Sequence, residues 1–95
     1  NITAKAGLHG LSKALAREFG PDGITANSVV PGAIDTVRDW SQYAHQDRER
    51  IRSEIPAGRF GKTDEVAAAC VFLCAETGAF VSGQAIHVNG GHYMF

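Results

Sequence analysis

Three short stretches of this chain hold the residue types that could do chemistry. The first is Asn1-Ile2-Thr3-Ala4-Lys5-Ala6-Gly7-Leu8, which places a cation one helical turn after an amide. The second is Val30-Pro31-Gly32-Ala33-Ile34-Asp35-Thr36. Here proline fixes the exit from an extended segment, and glycine lets another group approach the backbone closely. The third is Val88-Asn89-Gly90-Gly91. Read locally, each has an ordinary meaning. Lys5 is a solvated surface lysine, Pro31-Gly32 is a turn, and Asn27 is a structural polar residue at a strand. His45 reads as a surface histidine. His9, His87 and His92 show no metal-ligand spacing with it or with one another, so no metal site is expected. Cys70 and Cys74 fall on one helix face. They read as small core residues in a reducing compartment, not as a disulfide, metal or redox pair.

Elements must hold these stretches in place. Residues 2–19 read as a helix, with Leu8, Leu11, Leu15 and Phe19 recurring at three and four residues. Ala4, Ala6, Gly7 and Gly10 give it small positions that another backbone could approach. Gly20-Pro21-Asp22-Gly23 stops the helix. Residues 24–30 read as a strand, whose low charge and lack of clean alternation favour a sheet covered on both faces. The polar stretch 36–58 predicts one or two short, loosely attached helices, and Ile55-Pro56 disfavours helix continuation. Thr63 is the expected N-cap of a second long helix, with Asp64 and Glu65 in its first turn. Val66, Ala69, Cys70, Leu73 and Cys74 form its expected buried side. Residues 84–88 read as a second strand.

The chain has 95 residues, 44% hydrophobic and 20% charged, with a net charge of −1. Disorder is not expected from such a composition, and the scattered basic residues leave no footprint for nucleic acid. No apolar run approaches the roughly 20 residues of a membrane span. The amino end also lacks the apolar core of a signal peptide. One small domain with a modest core is expected. The strand–helix–strand unit predicts a right-handed parallel crossover. Yet two parallel strands make a poor sheet in isolation and leave edges open for pairing. Further parallel strands and covering helices are therefore expected, from the rest of a longer polypeptide or from another chain.

Taken in order, the motifs resemble the short-chain dehydrogenase/reductase family over nearly the whole chain. The stretches that carry the resemblance are Lys5-Ala-Gly-Leu8, Leu11-Ser-Lys-Ala-Leu-Ala-Arg-Glu18, Gly23-Ile-Thr-Ala-Asn27 and Val30-Pro-Gly-Ala-Ile-Asp-Thr36. Gly58-Arg-Phe-Gly61, Glu65-Val-Ala-Ala68 and Ser82-Gly-Gln84 through Val88-Asn-Gly-Gly91 complete the series. The resemblance implies an α/β fold: the C-terminal part of a doubly wound Rossmann-like parallel sheet, in the order helix–strand–lid–helix–strand. Residues 1–95 would be the C-terminal segment of one oxidoreductase domain, with a substrate lid at about 37–58. The glycine-rich phosphate loop and the catalytic serine would lie upstream.

By the same resemblance, Lys5 is the lysine of a Tyr-x-x-x-Lys motif, lowering the tyrosine pKa and holding ribose hydroxyls. Asn1 occupies the expected tyrosine position, and an amide has no tunable proton to give. Two explanations stand side by side: a tyrosine just before Asn1, brought into register by a local irregularity of the helix, or a homologue that lacks the acid/base group. Pro31, Gly32, Ile34 and Thr36 would border the nicotinamide, and Trp40 and Tyr43 would belong to the lid. The implied activity is hydride transfer between NAD or NADP and a small carbonyl or alcohol substrate. Asp22 stands where reductases acting on carrier-protein substrates have an arginine, which counts against such a substrate. The resemblance further implies a cytoplasmic homo-oligomer, dimer or tetramer, without nucleic-acid or membrane partners. The isolated 95 residues are expected to bind no cofactor and to be inactive. The alternative is a silent homologue serving as a binding or structural subunit.

Overall fold

The computed structural model describes residues 2–36 and 45–94, except for the side chains of His45 and Gln46. Helix α1 runs over Ile2–Phe19, the span that the leucine spacing predicts. It ends in a 3-10 turn, Gly20–Asp22, closed by Gly23 in the left-handed region at φ 78°. Strand β1 is Ser28–Pro31 and β2 is Ile34–Asp35. Helix α2 follows at His45–Glu54, then β3 at Gly61–Lys62, α3 at Thr63–Cys74 and β4 at Ala85–Val88. β1 pairs with β4 in parallel, Ser28 opposite Ala85 through Pro31 opposite Val88. α3 lies in the connection between them. A second parallel pair, Ile34 with Gly61 and Asp35 with Lys62, joins β2 to β3. The chain is thus α/β with parallel pairing.

The first strand differs from its expected bounds of 24–30. Its ladder starts at Ser28, because Asn27 spends its side chain where a backbone ladder would run. Asn27 Nδ2 donates to the Val81 carbonyl at 2.9 Å, and its Oδ1 accepts from the Gln84 N–H at 3.0 Å. Just upstream, the Ala26 carbonyl accepts from Gly83 N–H at 2.7 Å. Asn27 is therefore structural, and its two partners fix the orientation of its amide. Replacing Asn27 by Asp would aim a second acceptor at the Val81 carbonyl. A loss of about 1–3 kcal/mol is expected, larger than for a peripheral polar change. Denaturant unfolding of the complete protein would measure it, and an unchanged midpoint would refute the account.

The start of α3 differs from the expected Thr63 cap. Lys62, extended at φ −103° and ψ 151°, is its N-cap, and Thr63 is already helical. No hydroxyl cap forms. Instead Glu65 Oε1 reaches back to accept from Lys62 N–H at 3.0 Å, which is one half of a capping box. The reason is β3, which holds Lys62 in extended geometry opposite Asp35.

The expected buried side of α3 is only partly covered. Val66, Ala69 and Leu73 are half-buried, but Cys70 and Cys74 are exposed free thiols. Two strands are too narrow to cover the full apolar face of α3. The stripe of α1 is equally bare, with Leu8 59% and Leu11 52% exposed. Among the described residues, no atom lies within 4 Å of a Cβ built at Gly7 or Gly10, so these two positions pack on nothing there. Among the described residues, Ile55 is the one buried apolar side chain, 4% exposed. The Ile55-Pro56 pair does end α2, and it turns Ile55 inward against the Gly90 turn.

Candidate functional site

Lys5, Pro31, Gly32, Ile34 and Thr36 come from a helix, a strand end and the strap that follows it. The fold brings all five to one open cleft of about 710 Å³. α1 presents Lys5 at its amino-terminal end, one turn before His9. β1 delivers Pro31, and the strap from Gly32 to Thr36 runs along the cleft. Helix α3 supplies the opposite wall through Thr63, Val66, Ala67 and Cys70. Sequence reading missed this wall as a site. The spacing 63, 66, 67, 70 was its signal, but an i, i+3, i+4, i+7 pattern is also that of an ordinary core face.

Gly32 fits because nothing larger would. Its N–H donates to the Val88 carbonyl at 2.9 Å. A Cβ at this position would lie 2.7 Å from Asn89 Cβ and 3.0 Å from Asn89 Cα. The strap is therefore pressed against the turn that follows β4. That turn is self-tied: Asn89 Oδ1 accepts from Gly91 N–H at 3.0 Å, and Asn89 Nδ2 donates to the Tyr93 carbonyl at 2.8 Å. Gly90 takes φ 64° there, a conformation that side chains resist.

Lys5 also borders a second groove, of about 510 Å³, between the Leu8–Leu15 face of α1 and the edge of β1. Two hydroxyls join helix and strand at its side. Ser12 Oγ donates to the His9 carbonyl at 3.1 Å, which leaves Ser28 Oγ to donate to Ser12 across 2.8 Å. His9 Nδ1 is buried there without a partner among the described residues. The Lys5 ammonium has no hydrogen-bond or ion-pair partner among the described residues. It is exposed and available to a ligand's hydroxyl groups. Asn1, Trp40 and Tyr43 lie outside the described residues, as does the His45 side chain. Among the described residues, no group of three or more His, Cys, Asp or Glu could hold a metal ion.

The best-tied charges lie at the root of α3. Arg59 Nη1 and Nη2 donate to Glu65 at 2.7 and 2.9 Å, a forked pair. The Arg59 hydrogen bonds, followed by the Lys62 N–H, pull the Glu65 carboxyl down to about 2. A depressed carboxylate stabilises the fold above its unfolded value and loses that contribution as pH falls through its folded value. Thermal stability should therefore decline as pH drops from about 4.5 towards 2. Glu65→Gln should flatten that stretch of a melting-temperature profile, and an unchanged profile would remove Glu65 as its source.

The cleft thus combines a lysine on a helix, a Pro-Gly strap and a wall of small residues within an α/β framework. Residues 2–93 match the family model described as enoyl-(acyl carrier protein) reductase. The 3-oxoacyl-[acyl-carrier-protein] reductase FabG of Escherichia coli K12 is 48% identical over 92 residues, 96% of this chain and 37% of the relative. The FabG of Aquifex aeolicus is 41% identical, over 96% of the chain and 36% of its own length. A Bacillus subtilis protein named as the uncharacterized oxidoreductase YmfI is 42% identical over 93% of the chain and 36% of its own. The chain belongs to the short-chain dehydrogenase/reductase family, and it spans little more than a third of the length of these relatives.

Proposed function

We propose that these residues are the C-terminal segment of a single Rossmann-like domain. Complete, that domain transfers hydride between NAD or NADP and a small carbonyl or alcohol compound. One observation carries the reading: Lys5 and the stretch 31–36, well separated in sequence, line one cleft. The residues present fit a nicotinamide dinucleotide. Lys5 offers an ammonium to ribose hydroxyls, the Ile34 backbone and Thr36 hydroxyl offer groups to a carboxamide or diphosphate, and Val66 and Ala67 give an apolar wall. When bound, the nicotinamide supplies or accepts the hydride. The chain's part is to hold and orient. The Pro31-Gly32 strap brings backbone close to the ligand, and the Lys5 charge favours the deprotonated form of an acid placed beside it.

The bare stripe of α1 and the edge of β1 support the reading that the remainder of a doubly wound sheet docks there. On this view the 95 residues alone bind no cofactor and do not turn over. The whole protein is a cytoplasmic dimer or tetramer. Asp22, exposed in the turn after α1, supports a small substrate over a carrier protein. The test is carbonyl-dependent loss of NAD(P)H absorbance by the complete protein, with the 95-residue chain assayed beside it. Turnover by the whole and none by the chain is expected; turnover by the chain alone would overturn the division of labour. Asn1 favours one second reading, a dinucleotide-binding subunit without turnover. Saturable NAD(P)H binding with no carbonyl-dependent signal would select it.

A further inference from the structure

Helix α2 falls within the stretch assigned to the substrate lid, and the structure holds it at two places. One is its carboxyl end. There Ile55 is buried, Ala57 N–H donates to the Gly90 carbonyl at 3.1 Å, and His92 Nε2 lies 3.4 Å from Glu54 Oε2. The other is Arg48, a turn and a half earlier. Its Nη2 lies 3.1 Å from Asp35 Oδ1, and its guanidinium carbon sits 4.7 Å from the centroid of the Phe60 ring. Asp35 stands between Ile34 and Thr36, which both line the cleft. Phe60 immediately precedes β3, the strand paired with β2.

We propose that Arg48 is a positioning residue, which ties α2 to the strap carrying Ile34 and Thr36 and so sets how this part of the lid stretch stands against the strap that lines the cleft. The proposal rests on the lid reading given above. An isolated surface ion pair would be a weak tie, since water screens it. Arg48 differs in being held on two sides, by a carboxylate and by an aromatic face. A planar guanidinium satisfies both at once, which an ammonium does not. The neighbouring charges do not replace it. Arg52 is engaged by Glu49 at 2.7 Å and by the Gly58 carbonyl at 3.2 Å, and Arg59 is engaged by Glu65. Lys62, the cross-strand neighbour of Asp35, contributes charge to the same hollow but belongs to β3, so it cannot tie α2. Without Arg48, α2 keeps its Ile55 foot and swings about it.

The test uses the complete protein with Arg48→Met, Arg48→Lys, Asp35→Asn and the double variant Arg48→Met/Asp35→Asn. Two readouts are taken: amide hydrogen exchange across 45–54, and KM against kcat for a carbonyl substrate. Arg48→Met should speed exchange in α2 about 10-fold while α1 and α3 keep their protection, which shows that the variant is folded. KM should rise about 5- to 10-fold with kcat within about 2-fold. Arg48→Lys should recover part of both effects, and the double variant should be no worse than Arg48→Met alone. Unchanged α2 exchange in Arg48→Met, or effects of the two single changes that add, would overturn the proposal. Absence of turnover in the parent protein would count against the oxidoreductase reading instead, and the exchange readout would still decide the role of Arg48.

Discussion

Asn1→Tyr in the complete protein is expected to raise carbonyl-dependent NAD(P)H oxidation by about 10²–10⁴-fold, the usual worth of a positioned general acid. The expectation rests on register. Position 1 precedes Lys5 by four residues, which is one helical turn, and α1 is already regular helix at Ile2. An amide there has no proton to exchange near neutral pH, whereas a phenol beside an ammonium has its pKa drawn down towards the working range. Lys5→Met in the Asn1→Tyr background should then remove most of the gain. Lys5→Met in the original background should act chiefly on dinucleotide affinity, weakening it about 10-fold through the lost ribose contact. The two changes are thus strongly non-additive. Steady-state kinetics and a binding titration on the four proteins measure this, and no gain from Asn1→Tyr would show that proton delivery does not run through this position.

Gly32→Ala carries the second large effect. The added Cβ would meet Asn89 Cβ at 2.7 Å and Asn89 Cα at 3.0 Å. Asn89 has little room to yield, because both ends of its side chain are bonded within its own turn. Overpacking of this kind costs about 1–3 kcal/mol, which lowers the melting temperature of a domain of about 150–250 residues by roughly 2–4 °C for each kcal/mol. The strap would also be lifted from the β4 turn. Dinucleotide affinity should therefore fall along with stability, since the strap borders the proposed nucleotide cleft. Gly20→Ala is the control, because nothing lies within 4 Å of a Cβ there. Its effect should stay within about 0.5 kcal/mol. Equal melting temperatures for the two variants would refute the packing argument.

The sequence carried the local decisions well. Leucines at three- and four-residue spacing, with Gly-Pro-Asp-Gly behind them, determine α1 to its observed ends. Ile55-Pro56 marks the end of α2, and Asn89-Gly90-Gly91 marks the end of β4. The composition of 84–88 predicts a strand, and β4 is Ala85–Val88. These signals are legible because helix period, proline and glycine act over a few neighbouring residues. The ordered motifs also named Lys5, Pro31, Gly32, Ile34 and Thr36, which line one cleft.

Other features depended on residues far away in the chain. Thr63 has the chemistry of an N-cap, yet Lys62 takes that place because β3 pairs with β2 and holds it extended. Residues 24–27 have strand-like composition, but the Asn27 amide bonds to Val81 and Gln84 in place of a ladder. Cys70 and Cys74 share the periodicity of core residues, and whether they are covered depends on how wide a sheet lies beneath α3. Sequence by itself determined the two long helices, the approximate places of β1 and β4 and which residues could do chemistry, because those properties follow from local periodicity and side-chain type. Only the tertiary structure decided the β2–β3 pairing, the α3 wall of the cleft and the burial of Ile55. Each depends on which distant surface a face meets, and local periodicity does not specify that partner.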